Sequence, residues 1–69
     1  MGKHRFHPNN LQNFLYERGL SQNRVAIECG LHQQRVNEWC LNRNQLPVWA
    51  AIKIGETYNV DPAYLLNLP

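Results

Sequence analysis

A chain of 69 residues with a formal net charge of +2 allows one small domain. At this length folding buries only about 60% of the surface that the unfolded chain exposes, so the stability margin is thin and a deep catalytic cleft has few walls to draw on. Hydrophobic residues make up 43% and charged residues 17%, and no apolar run reaches the ~18 residues that a membrane span needs. The head Met1-Gly2-Lys3-His4-Arg5 lacks the apolar stretch of a secretory signal. The composition therefore points to a cytoplasmic protein.

Taken in order, the chain reads as an all-α domain. Residues 1–8 are expected to be a flexible basic head, in which Lys3 and Arg5 stand beside His4 and His7. A first helix is expected from Asn9 or Asn10 to Arg18, with Asn as its cap, Leu11, Phe14 and Leu15 as its buried stripe and Gly19 as its stop. Phe6 is placed to staple that helix from upstream. Ser21 caps a second helix from Gln22 to Cys29, in which Val25 and Cys29 point one way and Ala26 another. Gly30 ends it, Leu31 follows as a buried linker residue, and a third helix runs from Gln33 to Cys40 with Val36 and Trp39 turned inward. The stretch Leu41–Leu46 is a polar loop. Pro47 then opens a fourth helix to Tyr58, whose apolar surface is expected from Trp49, Ile52, Ile54 and Tyr58. Asn59-Val60 is a second stop, and Asp61-Pro62 caps a short last helix carrying Tyr64, Leu65 and Leu66. The domain is expected to span 9–67.

Two cysteines, Cys29 and Cys40, are too few for a disulfide scaffold and read as reduced, buried small hydrophobes. Zinc would need about four ligands in compact pairs. Cys29 with His32, and His4 with His7 far away, do not make that set, so no metal or other cofactor is expected. Catalysis is not expected either: the chain has no nucleophile–base pair and no Gly-rich phosphate loop, and Glu17, Glu28 and Glu38 lie on separate helices. Trp39 and Trp49 could serve as stacking platforms, but both are assigned to core positions.

The window 22–41 carries the densest constraint. Counting Gln22 as first, Ala26 is fifth and Gly30 ninth. Val25, Cys29, Leu31, Val36 and Trp39 fill the fourth, eighth, tenth, fifteenth and eighteenth places. Two helices that cross at about 90–120° through a short turn need a small residue at the contact and a residue tolerant of positive φ at the turn. The pattern is that of a helix-turn-helix pair. The chain resembles the Cro-like family of phage and bacterial repressors over Leu11 to Leu66. The likeness includes Gly19-Leu20-Ser21-Gln22, Pro47 and the closing Tyr58-Asn59-Val60-Asp61-Pro62-Ala63-Tyr64-Leu65-Leu66. It implies a five-helix domain, duplex DNA as the partner and a homodimer acting on a pseudo-palindromic operator in the nucleoid.

In that architecture the second helix of the pair enters the major groove. The base-reading residues would be Gln33, Gln34, Asn37 and Glu38, since amides can bond adenine N6 and N7 together and a carboxylate can accept from cytosine N4. Phosphates would be held by Gln22 and Asn23 at the head of the second helix, and by Arg35, Arg43 and Asn44, with Arg24 in support. The basic head could act as an arm. His32 replaces a capping Ser or Thr and reads as a solvated turn residue, while Arg18 and Lys53 read as solvated faces. Dimer contacts are assigned to Tyr64, Leu65, Leu66 and Leu68. Three residues depart from the family pattern: Cys40 replaces a frequent Glu, Asn42 a loop glycine, and Gly55 an alanine that would favour the helix by about 1 kcal/mol. An alternative is an antitoxin-like or adaptor module that uses the same fold to bind a regulatory protein partner.

Overall fold

The computed structural model describes residues 8–68, so all of the basic head but Pro8, and the Phe6 staple with it, lie outside the described residues. Among the described residues five helices form: α1 (Leu11–Arg18), α2 (Gln22–Cys29), α3 (Gln33–Cys40), α4 (Val48–Tyr58) and α5 (Pro62–Leu66). No strand forms among the described residues, and no helix there is long and apolar enough to cross a membrane.

The helix ends follow from local chemistry. Ser21 Oγ accepts from the Arg24 amide at 3.0 Å, and Asp61 Oδ1 accepts from the Ala63 amide at 2.9 Å, with Pro62 in the first turn of α5. At α1 the backbone N-cap is Asn10, but Asn9 supplies the oxygen, accepting from the Leu11 amide at 2.8 Å. Asn10 instead ties α1 to α5: its amide donates to the Leu65 carbonyl at 2.9 Å and its side chain to the Tyr64 carbonyl at 3.0 Å. Helices α1 and α2 end alike. Gly30 takes φ of 67°, and the Leu31 amide reaches back to the Ala26 carbonyl at 2.8 Å, as the Leu20 amide does to Leu15 at 2.9 Å.

A single apolar cluster draws on every helix. Leu11, Phe14 and Leu15 meet Val25, Ala26 and Cys29, then Val36, Trp39 and Cys40, then Ala50, Ala51 and Ile54, with Leu65 from α5 and Leu46 from the loop. Helix α4 packs on α2 and α5, and α3 packs on α2 and α1. Three of the four apolar residues of α2, Val25, Ala26 and Cys29, are buried in the shared core, whereas Ile27 is exposed.

Helix α4 corrects the expected apolar surface. Its buried residues are Ala50, Ala51, Ile54 and Gly55, whereas Trp49 and Ile52 are exposed. Two helices crowd this segment, and small side chains let them approach. Gly55 shows how closely: a Cβ built there would lie 2.5 Å from the Val60 carbonyl oxygen and 3.1 Å from Pro62 Cγ. Leu65 is the second correction. It is 0% exposed, at the centre of its own chain's core, so it is unavailable to a second copy.

Candidate nucleic-acid interface

The α2–α3 pair is joined by Gly30, Leu31 and His32, and both helices are pinned from beneath by buried residues. With Val36, Trp39 and Cys40 turned to the core, α3 presents Gln33, Gln34 and Arg35 to solvent and holds Asn37 and Glu38 half-buried. His32 precedes α3 as an exposed residue whose side chain makes no capping bond.

Two of these side chains are already engaged. Asn37 Nδ2 donates to Gln22 Oε1 at 2.8 Å, coupling the exposed side of α3 to the first turn of α2. The pair leaves Asn37 Oδ1 and Gln22 Nε2 for further partners. Glu38 Oε1 accepts from Asn44 Nδ2 at 2.8 Å, and the Arg43 amide donates to the Glu38 carbonyl at 2.9 Å. The loop after α3 is thus folded back on that helix, which brings Arg43 and Asn44 beside the proposed base-reading face.

Asn42 gives that loop its shape. It adopts φ of 57°, the conformation for which glycine is usual and which Asn tolerates. Its Oδ1 also accepts from the Asn9 amide at 2.9 Å and from Asn9 Nδ2 at 3.0 Å, and Asn9 Nδ2 reaches the Trp39 carbonyl at 2.9 Å. The loop is therefore anchored to the entry of α1, a support that no local pattern announces.

The cations divide into two sets. Arg24 is committed to Glu28, with Nε to Oε2 at 2.9 Å, and Tyr58 Oη donates to the other carboxylate oxygen at 2.7 Å. These two bonds, Tyr58 first, hold the Glu28 carboxyl below its ordinary range, while burial and the Glu28 bond hold the Tyr58 phenol above its own. Arg35, Arg43 and Lys53 make no ion pair among the described residues. Arg35 lines a surface depression with His32, Gln34 and Glu38. At the head of α2, Ser21 Oγ takes the Arg24 amide, and the first-turn amides of Gln22 and Asn23 have no intrahelical acceptor.

Trp49 does not take the core position expected of it. It stands exposed beside Arg35 and Lys53 on the α4 side of α3. Ala50, Ala51, Ile54, Gly55 and Tyr58 share the opposite face of α4 at helical spacing, but small side chains do not by themselves mark that face as the inward one.

The residues assigned to a dimer make different contacts. Leu66 and Leu68 line a groove with Asn9, Gln45, Leu46, Pro47 and Val48, whereas Tyr64 bonds to Glu17 Oε1 of α1 at 3.1 Å. Among the described residues, no group of three or more His, Cys, Asp or Glu side chains is placed to hold a metal ion. Comparison of the chain with protein-family models, curated proteins and solved structures found no match.

Proposed function

We propose that the protein is a sequence-specific double-stranded DNA-binding transcriptional regulator of the Cro-like repressor type, acting in the cytoplasm on the nucleoid. Helix α3 enters the major groove; Gln33, Gln34 and Asn37, with Glu38, read base edges. Gln22 and Asn23 hold phosphates on one flank, Arg43 and Asn44 on the other, and Arg35 along the groove wall. The observation that carries this reading is the outward face of α3. Three exposed polar side chains and two half-buried ones project from a helix whose other face is locked in the core. Rigid mounting of amide groups is what bidentate base recognition requires.

The regulator acts as a homodimer on half-sites about one helical turn apart. The second copy covers the groove between Val48 and Leu68, where exposed apolar side chains flank the half-buried Leu66. The same groove favours the second reading, an antitoxin-like or adaptor module in which a different protein takes that place. A gel shift against random duplex pools separates the two. A folded protein that retards no duplex at low salt overturns the regulator reading, and bound duplex must be released steeply as salt rises.

A further inference from the structure

Trp49 is the largest exposed side chain that the proposed reading leaves without a role. It is 57% exposed, whereas Ala50 and Ala51 beside it on α4 are fully buried. Its ring is not loose. It stands edge-on to the buried Trp39, with centroids 6.0 Å apart and planes at 83°, a favourable aromatic geometry that fixes the indole as a wall.

The surroundings are cationic. One hollow beside the indole is lined by Gly30, Leu31, His32, Arg35, Trp39 and Lys53. The adjoining hollow contains Arg35, Glu38 and Asn44, again with both tryptophans. Glu38 is the acid there, and its carboxylate already accepts from Asn44. Arg35 borders both hollows and also the depression that holds Gln34 and Glu38. The surface is therefore continuous from the base-reading side of α3 to the indole, and the free cations Arg35 and Lys53 flank it. A ligand that is anionic at regular intervals and apolar between them matches this arrangement. The sugar–phosphate strand of a duplex has that character, and its position beside a groove filled by α3 would bring it here.

We propose that Trp49, Arg35 and Lys53 form a second contact for the same duplex. The backbone strand bordering the α4 side of the groove packs a deoxyribose on the indole and sets its phosphates at the guanidinium and ammonium groups. The inference rests on the duplex-binding reading above. It extends the footprint to α4, so that the groove is straddled by the α2 head on one side and Trp49 on the other.

The test uses the full chain labelled with 5-fluorotryptophan, which gives one fluorine resonance for Trp39 and one for Trp49, assigned with Trp49→Phe. The probe is the tightest duplex selected from a random pool. Its addition is expected to shift the Trp49 resonance much more than that of Trp39. Trp49→Ala is expected to weaken binding about tenfold on selected and random duplexes alike, the loss expected of one buried apolar contact. Lys53→Ala is expected to lower the salt slope of binding by about one. Circular dichroism melting and sedimentation on each variant confirm that fold and oligomeric state are kept. If the wild-type protein retards no duplex, both readings fall together. If it binds duplex while the Trp49 resonance stays in place and Trp49→Ala binds within about twofold of wild type, only this inference falls. Loss of the dimer in Trp49→Ala also overturns it, because the indole then serves a protein contact.

Discussion

Asn37 on α3 donates its side-chain amide to Gln22 on α2 at 2.8 Å, across fifteen positions of sequence. Two residues that sequence reasoning assigned separately, one to bases and one to phosphates, therefore act as one unit. The bond fixes which way each amide faces, and that orientation decides what each can offer a base edge or a phosphate.

Coupling between them is measurable. Gln22→Ala and Asn37→Ala are each expected to weaken specific duplex binding by ~1 kcal/mol. The double variant should cost little more than the larger single, giving an interaction energy of ~0.5–1.5 kcal/mol in a double-mutant cycle. Strictly additive losses in a gel-shift titration would show that the hydrogen bond has no part in recognition.

The division between reading and gripping is tested on neighbouring residues. Gln33→Ala and Gln34→Ala are expected to relax base preference by ~1–3 kcal/mol at single positions of the selected site. Arg43→Ala should weaken every duplex alike and reduce the salt slope by about one. Selection from a random library with each variant distinguishes these outcomes. Uniform losses for all three would mean that the base contacts lie elsewhere.

Gly55→Ala runs against helix propensity. Alanine favours a helix interior by about 1 kcal/mol over glycine, yet the added Cβ would sit 2.5 Å from the Val60 carbonyl oxygen. Overpacking against backbone costs ~1–3 kcal/mol, so the substitution is expected to lower the urea midpoint. A midpoint raised above wild type would mean that the turn to α5 can shift at no cost.

The Arg24–Glu28–Tyr58 chain gives stability a pH dependence with a defined sign. Glu28 is held below its ordinary range by the Tyr58 bond and then by Arg24. Its contribution is complete above the unfolded carboxyl value of about 4.3 and is lost as pH falls through the lowered native value. Tyr58 is held above its ordinary range by burial and then by Glu28. Its contribution is complete below about pH 10 and is lost as pH rises beyond that. Tyr58→Phe should therefore flatten both limbs in urea midpoints measured across pH. Unchanged limbs would remove the pair from the stability of the fold.

Cys29 and Cys40 should both resist thiol reagents in the native state. Each is buried, and burial raises the Cys29 thiol and pushes Cys40 up to about 11, leaving little thiolate at neutral pH. Labelling is expected to proceed at the rate of unfolding, with both sites reacting together. Fast labelling of either thiol, followed by mass spectrometry, would place it at a surface instead.

Much of this molecule is written in short stretches of chain. Ser21, Gly30 and the Asp61-Pro62 pair set helix limits because capping and left-handed turns involve residues only a few positions apart. The stripes Leu11/Phe14/Leu15 and Val25/Cys29/Val36/Trp39 named the core for the same reason. Asn42 and Gly55 stand out as departures, and the left-handed backbone of Asn42 and the close approach of Val60 and Pro62 to Gly55 account for them.

What the sequence determined by itself was the succession of helices and the groups displayed on α3, because periodicity and caps are local properties. Only the tertiary structure decided which face of α4 is inward, where crowding by α2 and α5 selects small residues over Trp49 and Ile52. It also withdrew Leu65 into the core and joined Asn9 to Asn42, Gln22 to Asn37 and Glu28 to Tyr58. Those choices depend on which elements meet in space, and side-chain size along one helix does not encode its neighbours.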